Sequence, residues 1–217
     1  MHVVIATLIG VIAFFIGEFI RRKLGRGNED TRKLIHAIHG LTVISWLFLA
    51  NEAFIIGFEI IFFVSMFVFK VITKRWPHLL GWVYQVGRNS YGEFFYPLGV
   101  ISVLLISDSM WFSVAALLQL AVADAAAAII GKAFGGNNSY KVFGGTKSVA
   151  GTTAFVLSSA ALLAVILLPT QPRGLALVLI VGGLPFVLAS FENISIKGSD
   201  NLTIPLATIV VLEVLLK

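Results

Sequence analysis

Apolar stretches close to bilayer length follow one another along almost the whole chain, with short polar breaks between them. A bilayer core about 30 Å thick asks for about 20 predominantly apolar residues per helix. The pattern predicts eight spans, at 3–20, 34–50, 53–72, 94–107, 110–131, 149–168, 174–191 and 202–216. The second, fourth and eighth are short, so seven is the other admissible count. Composition points the same way, since only 12% of residues are charged and 58% are hydrophobic, whereas soluble domains carry roughly 25% charged residues. The expected fold is therefore all-α: a polytopic transmembrane helical bundle of 7–8 spans, with residues 1–217 forming one domain. The chain has no cysteine, which excludes a disulfide framework and a thiolate metal site. The first apolar run has its positive charges after it and no small-residue cleavage site, so it reads as a helix and not a signal peptide.

Cytoplasmic loops collect Lys and Arg, which sets an expected orientation. With the N-terminus outside, fourteen of the sixteen basic residues fall on the inner face, and only Arg173 and Lys217 lie opposite. The net charge of +5 is then one basic cytoplasmic face. It suits anionic headgroups or an anionic soluble substrate. No nucleic-acid partner is expected.

The unusual polar clusters lie on that same face: "TRKLIHAIHG" (31–40), "GRNSYGEFFYP" (87–97), "ADAAAAIIGKAFGGNNSYKVFGGTKSVAG" (123–151) and "FENISIKGSDNLTIP" (191–205). In the third, Asp124 sits within an apolar helix, where a carboxylate costs about 2.5–3.5 kcal/mol on insertion scales and calls for a functional explanation. Asp124, Ala128, Gly131 or Lys132, and Gly135 share one helical stripe that aims the carboxylate at a basic glycine loop. Lys132, Lys141 and Lys147 supply charges for phosphates, loop amides turn inward at the glycines, and a new helix starts near Ser148 with its dipole facing the loop. The G-x-x-x-x-G-K-[ST] spacing of a Walker A loop is absent.

The other clusters add candidates. Arg32, His36 and either His39 or Gly40 share a face at the membrane boundary. His36 is read as a hydrogen-bonding partner for a phosphate or carboxylate, and His39 as a packing histidine. Glu93 enters an aromatic span and wants a partner such as Arg88 or a bound cation. Glu192, Asp200 and Asn201 offer oxygen ligands of the kind Mg²⁺ prefers, although Asp200 or Asn201 also suits a helix cap. Glu59, in mid-span, must face protein or water and has no evident partner.

"RKLIHAIHG", "SYGEFFYPLG", "ADAAAAIIGKAFG" with "GTKSVAGT", and "DNLTIPL" resemble, in order and spacing, the CTP-dependent lipid kinases, among them the phytol kinases, dolichol kinases and CTP-using diacylglycerol kinases. The likeness runs from about residue 31 to 207, and Ala123 stands where the family usually carries Gly before the Asp. The resemblance implies transfer of the γ-phosphoryl group of CTP to a membrane alcohol of the phytol, geranylgeraniol or polyprenol type, with Mg²⁺ or another divalent cation. The implied catalytic candidates are Asp124 and His36. The nucleotide and phosphate set is Gly131, Lys132, Gly135, Lys141, Gly145, Thr146, Lys147 and Ser148, with Arg32, Lys33 and Arg88 from the neighbouring clusters. The metal set is Asp124, Asp200, Asn201, Glu192 and Glu93. The expected setting is a cell membrane or endomembrane with the site facing the cytoplasm. Competing readings are a diacylglycerol kinase, a cytidylyltransferase that makes a CDP-lipid, and an ion-coupled transporter. Transporters usually place polar sites near the midplane of repeated halves, unlike the one-sided clusters here.

Overall fold

The computed structural model describes residues 3–5, 7–8, 11–12, 15–16, 19, 28–75, 91–143 and 145–217. Arg88 lies outside the described residues, and Arg32 is placed only as part of its helix. The described residues between 3 and 19 are helical. The later helices are α1 (Asn28–Leu47), α2 (Glu52–Arg75), α3 (Gly92–Ile106), α4 (Met110–Leu118), α5 (Asp124–Phe134), α6 (Val149–Thr170), α7 (Leu175–Ile194) and α8 (Asp200–Leu216). A wide π-helical segment, Gln119–Ala123, joins α4 to α5, so that Met110–Phe134 runs as one 25-residue rod. Between α5 and α6 stands a two-stranded antiparallel hairpin, β1 (Ser139–Val142) and β2 (Gly145–Ser148). The architecture is thus helical apart from one hairpin, which replaces the glycine loop expected there.

Among the described residues, three helices are long and apolar enough to cross a membrane: Met110–Phe134, Val149–Thr170 and Leu175–Ile194. Gly92–Ile106 is apolar but shorter. α4 is the centre of the bundle, with Phe112 through Leu117 all buried. Around it Val43, Val100, Phe155, Leu163, Leu188, Ile204 and Ile209 are wholly buried. Apolar side chains also cover the outside, for instance Leu105, Leu157, Val165, Val178 and Val214. Oil on both surfaces of the helices is the arrangement that suits a lipid solvent.

Small residues set how closely the helices meet, as expected where dispersion and not hydrophobic collapse holds helices together. A Cβ on Gly40 of α1 would overlap Ala121 and the Tyr96 hydroxyl, so α1 lies directly on the π segment. A Cβ on Gly151 of α6 would stand 2.9 Å from the Ala127 carbonyl oxygen and 3.1 Å from Gly131 Cα. α3 and α8 make a comparable approach. Pro205 has no N–H to give the Asn201 carbonyl four residues back, and Gly99 sits against that oxygen so closely that a Cβ would overlap it. The Asn201 side chain seals the same seam, its amide donating to the Gly92 carbonyl at 3.0 Å.

Candidate active site

At the end of the bundle where α5 meets the hairpin lies a pocket of about 400 Å³. α5 supplies one wall, with Asp124, Ala127, Ala128, Gly131, Lys132 and Gly135 facing inward. The hairpin and the first turn of α6 supply another through Ser139, Thr146, Lys147, Ser148, Gly151 and Thr152. Lys33 reaches in from α1, Glu192 from the end of α7, and Asp200 from the start of α8. Five helices and a hairpin therefore converge on one cleft.

Local chemistry fixes these positions. Ser148 caps α6, its hydroxyl accepting from the Gly151 amide at 3.1 Å. The same hydroxyl donates to the Gly131 carbonyl at 3.4 Å, which ties the end of α5 to the start of α6. The first turn of a 22-residue helix thus borders the cleft, with the positive end of its dipole toward it. Tyr140 and Lys147 are cross-strand partners in the hairpin, and both reach the end of α7. The Tyr140 hydroxyl donates to Asn193 Oδ1 at 2.9 Å and also meets the Thr152 hydroxyl, while Lys147 pairs with Glu192. The hairpin is thereby braced against α6 and α7, and Lys147 is held beside the cleft. Across the cleft Lys33 pairs with Asp124, whose side chain is 4% exposed.

Thus the cleft gathers Asp124, Glu192 and Asp200 with Lys33, Lys132 and Lys147. Gly131, Gly135, Thr146 and Ser148 also line it, but the glycines serve a different purpose from the amide cradle read in the sequence. Gly131 and Gly135 face Ser148 so closely that a side chain would displace it, which makes them seats for the α6 start. Gly145 does not line the cleft. It takes a positive φ of 144° at the hairpin turn, a conformation side chains disfavour.

Five expectations are corrected. Lys141 is exposed, opposite Thr146 on the hairpin, and does not line the cleft. Glu93 pairs with Lys70 at 3.3 Å on α2, outside the cleft. Asn201 is buried in the α3–α8 seam by its bond to Gly92, so its amide serves packing. His36 is not among the residues that line the cleft, and its ring stands edge-on to Tyr96 at 5.0 Å between centroids. Nor does Asp200 or Asn201 cap α8, whose cap position is Ser199, its hydroxyl accepting from the Ile196 amide at 3.3 Å and not from the helix. The sequence reading missed Ser139, Gly151 and Thr152. Gly151 and Thr152 were legible in the "GTKSVAGT" unit, where the first turn of a capped helix follows the lysine.

The cleft's oxygen-only carboxylates suit a hard divalent cation such as Mg²⁺. Among the described residues, however, no group of three or more His, Asp or Glu side chains stands close enough to hold a metal ion unaided.

An apolar helical bundle with lysines and carboxylates collected at one end is the class that fold and site define. Comparison with known proteins gives the particular relationship: the chain is 29% identical over 206 residues to the phytol kinase of Synechocystis sp., which covers 94% of this chain and 86% of that protein. The likeness runs along nearly the whole of this chain. No protein-family model matches the chain, and no solved structure matches it.

Proposed function

We propose that this chain is a CTP-dependent kinase of membrane prenols, forming the monophosphate of a phytol-, geranylgeraniol- or polyprenol-type alcohol and releasing CDP. The observation that carries the reading is the convergence of Lys33, Lys132 and Lys147 with Asp124, Asp200 and the α6 N-terminus in one cleft at the end of an apolar bundle. Similarity to a phytol kinase over nearly the whole length supports it.

Phosphoryl transfer asks a protein mainly for position and neutralised charge. Lys147, Lys132 and Lys33 would hold the triphosphate, and the first turn of α6 would add its dipole. Asp124, Glu192 and Asp200 would offer oxygens to the divalent cation, which supplies neutralisation of the phosphate charge when bound. The alcohol oxygen forms a bond to the γ-phosphorus as the bond to the β–γ bridging oxygen breaks. CDP leaves, and the alcohol proton passes to a base. Asp124 is the assigned base, because it lines the cleft and His36 does not. In this reading the chain is a single multi-pass domain with its N-terminus outside and its cleft facing the cytoplasm, where CTP and the hydroxyl of an inner-leaflet alcohol meet.

The test is a reaction with γ-labelled CTP in detergent against phytol, geranylgeraniol, farnesol, polyprenols and diacylglycerol. A labelled lipid phosphate and CDP are expected with the prenols. With phosphatidate added as a further acceptor, pyrophosphate and a CDP-lipid would establish the cytidylyltransferase alternative instead. Asp124→Asn and Lys147→Ala should each lower turnover by orders of magnitude in protein that still elutes as a folded species.

A further inference from the structure

We propose that the hairpin between α5 and α6 is a membrane-contact element. Its tip, Phe143 with Lys141, seats in the headgroup layer of the adjoining leaflet, favours anionic lipid there, and carries the leaflet's charge to the cleft as a change in turnover. The last part rests on the kinase reading; the seating does not.

Three observations carry it. Phe143 is 92% exposed at the hairpin tip, and Lys141, two positions earlier, is exposed as well. An aromatic ring beside a lysine suits an anionic interface, the ring among the headgroups and the ammonium on their phosphates. Second, the hairpin is continuous with a face that suits lipid. α6 is long and apolar enough to cross a membrane, and Val149, Thr153, Leu157, Ala161 and Val165 are exposed at every fourth position along it. That stripe begins at Val149, the residue directly after β2. On the other side α5 ends in Phe134, which is 70% exposed. Third, the hairpin is tied to the ends of the helices. The Tyr140 hydroxyl meets Thr152 in the first turn of α6 and Asn193 in the last turn of α7. Phe143 follows three residues later, at most about 10 Å of strand.

The same ladder reaches the cleft. Lys141 stands opposite Thr146 and Tyr140 opposite Lys147, and both of these partners line the cleft. Seating the tip holds β1, and through the ladder it holds Lys147 beside Glu192.

The test uses the full-length protein in nanodiscs of phosphatidylcholine, with or without phosphatidylglycerol. In Phe143→Cys, the only thiol of that chain carries an apolar fluorophore in place of the ring, and lipid with a headgroup nitroxide is the quencher. Quenching is expected in both discs and more strongly with phosphatidylglycerol, and Lys141→Ala should remove that difference. Native protein should phosphorylate its alcohol about fivefold faster in the anionic discs, near what one lysine is worth at such a surface. Lys141→Ala and Phe143→Ser should each lose most of that gain yet match native turnover in neutral detergent, where the cleft alone is read. Lys197→Ala, which removes an exposed lysine between α7 and α8, should keep the gain. An unquenched label that reports water overturns the inference. So does a label shielded only as protein concentration rises, which would assign the tip to a second copy. Equal native turnover in both discs also overturns it, as does an equal loss in Lys197→Ala, since the general charge of that face would then suffice. Quenching without phosphorylation of any alcohol would remove the kinase reading and leave the seating standing. Phosphorylation without quenching would do the reverse.

Discussion

Glu59 is wholly buried on α2, and its carboxylate meets His39 Nε2 of α1 at 2.8 Å. The histidine is boxed by Phe62 and Tyr96, with ring centroids 4.8 and 5.0 Å away. An ionisable group inside an apolar bundle needs such a partner. Removing one member of a buried pair typically costs about 3–5 kcal/mol, because the other is left uncompensated. His39→Leu should therefore lower the thermal unfolding midpoint in detergent sharply, while Glu59→Gln combined with His39→Leu should recover much of the loss. Should the single and double variants melt with the native protein, the pair has no structural weight. At this scale the sequence is a partial guide. It marks Asp124, Lys147 and Asp200 as unusual, since each is a charge in or beside an apolar run. It cannot pair them. Lys33 and Asp124 are 91 positions apart, Lys147 and Glu192 are 45 apart, and His39 and Glu59 are 20 apart, and none of these separations follows from helical or strand spacing.

Among elements, the contact of α5 with α6 shapes the cleft most directly, and it depends on Gly151. Valine there would press on the Ala127 carbonyl and on Gly131, and overpacking of this kind costs about 1–3 kcal/mol. Gly151→Val should lower both the unfolding midpoint and turnover, whereas Gly182→Val, with open space around its Cβ, should change neither. Most helices were legible because their apolar length is imposed by the solvent, and the expected spans 94–107, 149–168 and 202–216 fall within Gly92–Ile106, Val149–Thr170 and Asp200–Leu216 to within a residue or two. The hairpin was not. Its glycines dominate "SYKVFGGTKS" and read as a loop, although Tyr140 opposite Lys147 and Lys141 opposite Thr146 form a short ladder. The π segment just before Asp124 left no mark either. It adds a residue to one turn, which rotates α5 relative to α4 by about 100°, so the buried face of α4 does not forecast the face on which Asp124 lies.

For the whole molecule, the distribution of basic residues carries an expected orientation that experiment can check. The chain has no cysteine, so single substitutions give a clean readout. Phe143, at the hairpin tip, is 92% exposed, and Gly174, between α6 and α7, has nothing near its Cβ. Phe143→Cys should react with an impermeant maleimide in inverted vesicles alone, and Gly174→Cys in right-side-out vesicles alone. Labelling of both from one side would reverse or break the topology. The cleft also draws on both ends of the chain, with Lys33 in the first described long helix and Asp200 opening the last. During translation, then, Asp124 is made after the lysine that shields it, whereas Asp200 is made only after Lys33, Asp124 and Lys147. A nascent chain is thus protected early and competent late, and any stop codon before α8 should yield a protein that inserts yet has no chemistry.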